Sequence, residues 1–184
     1  MIYDISKTIA EGMAVYEGDP EVKIEEVFTI ARDGFSLRRL EMSTHTGTHL
    51  DAPSHFMENG KPVDEIDLEL LLGKVLVVET FDDEVPLGTV RLLGKKGYLS
   101  EERAREFSRN GLKLIGTVYE SIEQDSTEVV HEILLGNGII ILENLVLQEI
   151  KPGSYTLAAF PLKISGADGS PVRAVLMDDL GGSL

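Results

Sequence analysis

Three of the four histidines in this 184-residue chain lie within eleven residues, from His45 to His55. The segment reads H-T-G-T-H-L-D-A-P-S-H, which sets the imidazoles of His45 and His49 beside the carboxylate of Asp51. Imidazole and carboxylate groups are ligands that zinc, manganese and iron all accept. The segment therefore predicts a metal site, and a polar turn without metal is the alternative.

The spacing within this segment narrows the type of site. A four-residue step can bring His45 and His49 to one side of a turn, and Asp51 can face the same way if the chain is extended there. Thr46 stands where the helical H-E-x-x-H motif needs a glutamate. Gly47 and Pro53 also disfavour a continuous helix. We expect an irregular loop whose backbone passes close to an ion.

His55 has two possible roles at this stage. It could be a further metal ligand, or it could be a general acid/base, because an unperturbed imidazole has a pKa of about 6.5. Hydrolysis by metal-activated water still requires a group that passes a proton to the leaving group. Composition alone does not decide between the two roles.

Two residues outside the segment are weaker candidates when judged by their own context. His131 lies on a predicted helix, where exposure to solvent is the default. Glu143 ends the apolar run Ile139–Glu143, and a carboxylate at the end of a strand can either face a site or reach solvent. Other chemistries lack support, since the chain has no cysteine, no G-x-S-x-G turn and no Walker loop.

The elements that must position these residues are short and numerous. Two alternating runs, Val22–Ile30 and Phe35–Ser43, are joined by Arg32-Asp33-Gly34 and predict a hairpin that leads into His45. The other predicted strands are Ile2–Ser6, Lys74–Thr80, Leu112–Val118, Ile139–Glu143, Ser154–Leu162 and Pro171–Met177. The predicted helices are Pro62–Leu72, with Asp64 as its N-cap and Gly73 as its C-terminal stop, Glu101–Arg109, with Ser100 as its N-cap, and Thr127–Leu135. The predicted loops include Phe81–Gly97 and Ser165–Ser170. This pattern predicts one α/β domain over residues 1–184 with a mixed sheet.

Composition limits the partners. A net charge of −15 repels polyanions, so we expect neither nucleic acid nor an anionic membrane surface as a partner. The apolar runs are too short to span a bilayer, and the N-terminus lacks the pattern of a secretory signal. We expect a cytoplasmic protein that acts on a small molecule.

The motif His45–Phe56 resembles that of the cyclase-like metal-dependent hydrolases, the family that contains bacterial kynurenine formamidase (arylformamidase) and isatin hydrolase. Its residues match the family pattern H-x-G-T-H-x-D-x-P-x-H. The resemblance extends over nearly the whole chain, through the opening Y-D-I-S, the segment V-Y-E-G-D-P and the later G-S-P-V-R-A-V-L. It implies a swivelling β/β/α fold, usually assembled as a homodimer or a dimer of dimers.

The resemblance also implies a role for each residue. His45, His49 and Asp51 would bind one divalent metal, and Asp51 would be shared with a second ion completed by His131 and Glu143. His55 would be the catalytic proton donor and acceptor. Two ions per subunit are implied, with zinc as the first candidate and manganese as the second. The implied reaction is hydrolysis of an aryl formamide such as N-formylkynurenine, a step of tryptophan catabolism.

Two departures from the family pattern concern the substrate side. Tyr16 stands where formamidases typically place a tryptophan against the substrate ring, and Gly116–Glu123 lacks the aspartate and proline of G-x-D-T-P-S-x-D. The alternatives are therefore a hydrolase of a cyclic amide or lactone, as for isatin, and a non-catalytic metal-binding protein on the same scaffold. A protein that only binds metal would not require a further histidine for proton transfer beside its ligands, so the presence of His55 favours an enzyme.

Overall fold

A nine-stranded mixed sheet organises the chain in its computed structural model, which describes residues 1–124 and 127–178. In chain order the strands are β1 (Ile2–Asp4), β2 (Lys23–Phe28), β3 (Leu37–Glu41), β4 (His49–Asp51), β5 (Leu72–Thr80), β6 (Arg91–Lys96), β7 (Leu114–Thr117), β8 (Ile140–Glu143), β9 (Gly153–Ala158), β10 (Gly169–Pro171) and β11 (Val175–Asp178). The α-helices are α1 (Ile30–Asp33), α2 (Glu101–Arg109) and α3 (Val129–Gly136), and single 3₁₀ turns cover Pro53–His55, Val63–Glu65 and Leu68–Leu71.

The strand order of the large sheet is β1-β11-β9-β5-β6-β7-β8-β4-β10. The central strands β5 to β8 pair in parallel, and the strands that flank them pair antiparallel. The hairpin of β2 and β3 forms a separate two-stranded sheet. The predicted α/β fold with a mixed sheet and few short helices is confirmed. No helix in the described part of the chain has the length and apolar content to cross a membrane.

The core is divided between the two faces of the large sheet. Successive side chains on a strand point to opposite faces, so Leu114 and Ile115 on β7 belong to different buried clusters. The cluster around Ile115 also contains Phe107 of α2 and Leu134 of α3. The two longer helices therefore cover one face, and the other face packs against loops and the antiparallel strands.

The pairing of β4 with β8 determines where the polar residues of both strands point. His49 lies opposite Glu143, and Asp51 lies opposite Ile141. Directly opposed residues of an antiparallel pair share a face of the sheet. Ile141 belongs to the cluster that contains helix residues, so His49, Asp51 and Glu143 all face the side covered by α3.

The prediction of a loop over Phe81–Gly97 is wrong, because its second half forms the central strand β6. Its residues Leu92 and Leu93 are buried on opposite faces, so the run shows no alternation of apolar and polar residues. Gly94 makes the strand still harder to recognise from its sequence, because glycine is uncommon within strands. A Cβ at that position would lie 2.5 Å from the ring of Phe81, so the strand needs a glycine there.

The prediction of a helix over Pro62–Leu72 is also wrong. Two 3₁₀ turns occupy the segment, and Ile66 is extended between them with its side chain buried. Asp67 caps the second turn by accepting a hydrogen bond from the Glu69 amide, so Asp64 does not cap a helix. Gly73 lies inside β5 instead of ending a helix.

Most of the remaining predicted strands and helices form with shifted bounds. Ser100 caps α2 as predicted, and the β2–β3 hairpin forms, although the short helix α1 replaces a tight Asp-Gly turn. Two predictions need correction near the C-terminus: Pro171–Met177 is divided between β10 and β11, and part of Ser165–Ser170 forms the start of β10. Likewise, the expected loop at His45–His55 contains β4 and a 3₁₀ turn.

Candidate metal centre and active site

The predicted ligands come from three parts of the chain: the segment that leads into and forms β4, the end of β8 and the start of α3. His45 lies in the turn before β4, β4 carries His49 and Asp51, β8 ends in Glu143, and the first turn of α3 carries His131. Their nitrogen and oxygen atoms form two compact groups, each within 4.8 Å. The first group is His45, His49 and Asp51, and the second is Asp51, His131 and Glu143.

The two groups meet at Asp51, which turns a different oxygen to each. Its Oδ1 lies 2.9 Å from Nδ1 of His45 and 3.3 Å from Nε2 of His49. Its Oδ2 lies 3.9 Å from Nε2 of His131. Glu143 also faces both groups, with Oε2 3.5 Å from Nε2 of His49 and Oε1 3.4 Å from Nε2 of His131.

Each imidazole in the two groups uses its other nitrogen to hold its orientation. Nε2 of His45 lies 3.1 Å from the Asp168 carboxylate, and Nδ1 of His49 donates to the Gly47 carbonyl at 2.9 Å. Nδ1 of His131 lies 2.5 Å from Oε1 of Glu123. An oxygen acceptor on the outer nitrogen is the usual arrangement for a metal-binding histidine, because it fixes the tautomer and the ring plane.

The charges of the cluster also suit a cation. Asp51 and Glu143 are only 1% and 4% exposed, and buried carboxylates are costly unless positive charge compensates them. Burial disfavours a charged imidazole at His49, yet Asp51 and Glu143 outweigh it and raise the pKa of His49 to about 10. The same balance of burial against Glu143 and Asp51 raises the pKa of His131 to about 9.

These observations show that the donor set fits a divalent metal ion. Four ligands at roughly 2.1 Å from a tetrahedral zinc ion stand about 3.4 Å from one another, close to the separations within each group. The donors are imidazole nitrogens and carboxylate oxygens, which zinc and manganese both accept. The cluster is buried between β4, β8 and α3 and opens to a cavity on one side.

His55 lies beside this cluster on the 3₁₀ turn that follows β4. Its ring stacks on the ring of His45 with centroids 4.1 Å apart, and its Nδ1 lies 3.3 Å from Oδ2 of Asp168. Burial lowers the pKa of His55 below its ordinary value. The structure thus separates His55 from the two groups that share Asp51, although His55, His45 and Asp168 have donor atoms within 4.8 Å of one another.

A cavity of about 280 Å³ lies over the cluster. Small-molecule sites span roughly 300–1,000 Å³, so this cavity suits a small ligand. Its walls include His55, Phe56 and Tyr16, the last of which is 51% exposed. Lys7 also lines the cavity, and its ammonium donates a hydrogen bond to Oδ1 of Asn144.

Two functional candidates were not found from the sequence. Asp168 lies in a glycine-rich loop, and the one available signal was a carboxylate between Gly166 and Gly169. Glu123 is the last residue of the segment Gly116–Glu123. This segment departs from the family pattern G-x-D-T-P-S-x-D at other positions but keeps an acidic residue at the last one. Asp168 contacts two histidines that lie 123 and 113 positions away, so its own neighbourhood in the chain does not reveal its partners. Glu123 lies eight residues before its partner His131, but nothing in the intervening sequence indicates the contact.

Comparisons with known proteins agree with this geometry. A model of the Cyclase family matches residues 3–117 of the chain. Kynurenine formamidase from Bacillus thuringiensis subsp. konkukian (strain 97-27) is 35% identical over 199 residues, which cover 94% of this chain and 95% of that protein. Kynurenine formamidase from Salinibacter ruber (strain DSM 13855 / M31) is 34% identical over 209 residues and covers 96% of this chain and 97% of its own length.

Solved structures give the same result at the level of the fold. A structure described as a predicted metal-dependent hydrolase from Bacillus stearothermophilus superposes with a TM-score of 0.81 at 28% identity, covering 96% of this chain and 97% of that one. Isatin hydrolase A from Labrenzia aggregata shares the fold with a TM-score of 0.81 at 23% identity, covering 97% of this chain and 93% of its own. The chain belongs to the Cyclase family and is a metal-dependent hydrolase.

Proposed function

We propose that this protein hydrolyses the formamide bond of an aryl formamide, with N-formylkynurenine as the first candidate substrate. The observation that carries the proposal is the buried cluster of histidines and carboxylates, which opens to a small cavity with aromatic walls and with His55 at its edge. Kynurenine formamidases that align over almost the whole chain support the choice of substrate.

We further propose which residues hold the metal. His45, His49 and Asp51 hold one divalent ion, and Asp51, His131 and Glu143 hold a second, with zinc as the first candidate and manganese as the second. The two oxygens of Asp51, each turned to a different group, support two ions over one. When bound, the ions would activate a water molecule and polarise the formyl carbonyl.

The remaining chemistry belongs to the protein's own side chains. As water adds to the formyl carbon, His55 takes a proton from it. His55 then delivers this proton to the departing nitrogen as the C–N bond breaks, which gives an arylamine and formic acid. The acid ionises to formate by releasing its proton to solvent. The position of His55 on the cavity wall, beside the cluster and not within it, supports this role.

Tyr16 is proposed to contact the aromatic ring of the substrate. It lines the cavity and is half exposed, so its phenol can close over a bound ring. Because a tyrosine stands where formamidases typically carry a tryptophan, the same cavity could accept a cyclic amide or lactone. Isatin is therefore the second candidate substrate.

The test combines metal analysis with activity. Purified protein should contain divalent metal and hydrolyse N-formylkynurenine faster than isatin, and a chelator should remove both metal and activity. Re-addition of zinc or manganese should restore turnover. A protein that folds without binding either metal would refute the proposal, and bound metal without turnover on any formamide, lactam or lactone would favour a non-catalytic metal-binding protein.

Three broader expectations stay predictions. We propose that the 184 residues form one domain, that the protein assembles as a homodimer or a dimer of dimers, and that it is cytoplasmic. A single cooperative unfolding transition, the mass from light scattering and cell fractionation are the respective measurements.

A further inference from the structure

We propose that Asp168 is a positioning residue that fixes the tautomer and the ring orientation of His55 for proton transfer. This inference rests on the proposed function, in which His55 moves the proton during formamide hydrolysis. Asp168 does not itself contact the substrate in this scheme. It acts through the imidazole that it holds.

The carboxylate of Asp168 has a fixed set of partners. Its Oδ1 accepts a hydrogen bond from Oγ1 of Thr44 at 3.0 Å. Its Oδ2 lies 3.1 Å from Nε2 of His45 and 3.3 Å from Nδ1 of His55. The second distance is at the long end for a hydrogen bond, as is common for catalytic groups in a free enzyme. Both oxygens are therefore engaged, which leaves the carboxylate little freedom to rotate.

The backbone around Asp168 ties this carboxylate to the same segment that carries His55. The Asp168 carbonyl accepts a hydrogen bond from the amide of Ala52 at 2.8 Å, and β10, which begins at the next residue, pairs with β4. Gly169 allows this close approach, because a Cβ there would lie 2.5 Å from Cε1 of His45. The contact between Asp168 and His55 is thus a consequence of strand pairing.

The chemical consequence follows from the two nitrogens of imidazole. In a neutral ring one nitrogen donates a hydrogen bond and the other accepts. A carboxylate can only accept, so Asp168 selects the tautomer with the proton on Nδ1 of His55 and leaves Nε2 as the basic atom. His55 lines the cavity, so the basic nitrogen belongs to a group that a substrate can reach. Without Asp168 the other tautomer competes, and a smaller fraction of the enzyme is poised to accept a proton.

The first experiment compares Asp168→Asn with a matched control, Asp64→Asn, in zinc-saturated enzyme. Asp64 anchors the same loop through the Gly166 amide but is not among the hydrogen-bond partners of the histidines. For N-formylkynurenine we expect kcat of Asp168→Asn to fall about 100-fold with little change in KM, in the range of general acid–base effects. Asp64→Asn should retain kcat within about twofold, because changes away from a site have small effects.

A second readout separates proton transfer from loss of structure. The aniline that leaves from 4-nitroformanilide needs less protonation than the one that leaves from formanilide. The defect of Asp168→Asn should therefore be smaller on the nitro compound. The double variant His55→Ala/Asp168→Asn should be no slower than His55→Ala alone, because residues that act as one unit are not additive. Equal defects on both substrates, or additive losses in the double variant, would overturn the inference.

Metal content distinguishes the positioning role of Asp168 from the competing explanation, in which Asp168 is a metal ligand. His45, His55 and Asp168 have donor atoms close enough to bind a cation. If Asp168→Asn loses one equivalent of zinc and regains kcat when zinc is raised, Asp168 is a ligand and the positioning role is wrong. Active wild-type enzyme with a fully active Asp168→Asn variant would also refute it. A wild-type protein that hydrolyses no formamide would instead refute the proposed function on which the inference rests.

Discussion

At the scale of single residues, the site depends on carboxylates that divide their oxygens between neighbours. Asp51 turns Oδ1 to one pair of histidines and Oδ2 to His131, and Asp168 spans two stacked imidazoles with a single oxygen. The two acids differ in burial, since the side chain of Asp51 is 1% exposed and that of Asp168 is 44% exposed. The buried acid is suited to hold metal, and the more exposed one is suited to orient a group that exchanges protons.

Replacement of His55 by alanine should remove nearly all turnover, down to a small residual rate that can still be measured, and leave the metal content near that of the wild type. The reason is that His55 stacks beside His45 but lies outside the two donor groups that share Asp51. Loss of a general acid–base group typically costs about 10²–10⁴-fold in rate. The measurement pairs kcat on N-formylkynurenine with metal analysis of the same sample.

The control for this variant is His49→Ala. The His49 side chain is buried, and its Nε2 lies close to the carboxylates of both Asp51 and Glu143. His49→Ala should lose metal and activity together. If His55→Ala also loses a metal equivalent, His55 is a ligand and a different group must carry the proton.

The sequence alone predicts only the part of the site that is local in the chain. His45, His49 and Asp51 are recognisable because they lie within seven residues. His131 and Glu143 stand out only through the family resemblance, since each is an ordinary residue in its own segment. Asp168 stays hidden because its contact with His45 joins residues 123 positions apart. That contact exists only once β10 pairs with β4.

At the scale of elements, a strand is predictable only where its own residues carry a recognisable pattern. Alternation or a long β-branched run identifies β2, β3 and β5. The strand β6 shows neither pattern, because it is buried on both faces and contains Gly94 beneath the ring of Phe81. The sequence predicts one helix where the structure has two 3₁₀ turns, at Val63–Glu65 and Leu68–Leu71. The 3₁₀ conformation is a tighter form of helix that occurs in short pieces, so a local pattern does not distinguish the two.

The close approach of β10 to His45 yields a prediction for Gly169→Ala. The added Cβ would lie 2.5 Å from Cε1 of His45, so the imidazole must shift from its position or the strands must separate. We expect metal affinity to fall by about 10–100-fold, as for other changes that disturb the orientation of a ligand. We also expect a loss of about 1–3 kcal/mol in the free energy of unfolding, typical of overpacking.

Gly136→Ala is the matched control for this substitution. Its Cβ would meet the sulfur of Met57 at an ordinary 3.5 Å, and the residue lies at the end of α3. Alanine there should leave metal affinity unchanged and should stabilise the protein by up to about 1 kcal/mol. Isothermal titration with zinc and urea unfolding measure the two quantities. A Gly169→Ala variant that binds zinc as tightly as Gly136→Ala would contradict the proposed contact.

At the scale of the whole molecule, the acidic character of the chain makes the metal centre a determinant of stability. The net charge is −15, and two of the carboxylates, Asp51 and Glu143, are buried between β4, β8 and α3. A cation held there compensates buried negative charge and joins elements that are distant in the chain. Any ligand that binds only the folded state stabilises it by mass action, by about 2.7 kcal/mol at 100 times its dissociation constant.

When metal is removed by a chelator, protonated histidines must supply that positive charge. The pKa of His49 is raised to about 10 and that of His131 to about 9, whereas an unfolded histidine has a pKa of about 6.5. Below about pH 6.5 both states bind these protons, so the stabilisation is fully present. Between pH 6.5 and about 9–10 the folded state binds more protons than the unfolded state. The free energy of unfolding must therefore fall as the pH rises through this window.

Urea unfolding of the chelator-treated protein at pH 6.5, 7.5 and 9 tests this expectation. The metal-loaded protein is the control, because its histidines are held deprotonated by the ion and should give no such decline. Asp51 does not confuse the result, since its pKa is lowered and its contribution is lost only in acid, below about pH 4. Equal stability of the metal-free protein across this range would mean that protonated His49 and His131 do not balance the buried carboxylates. A decline that disappears when zinc is added would show that the ion and the protons compete for the same buried negative charge.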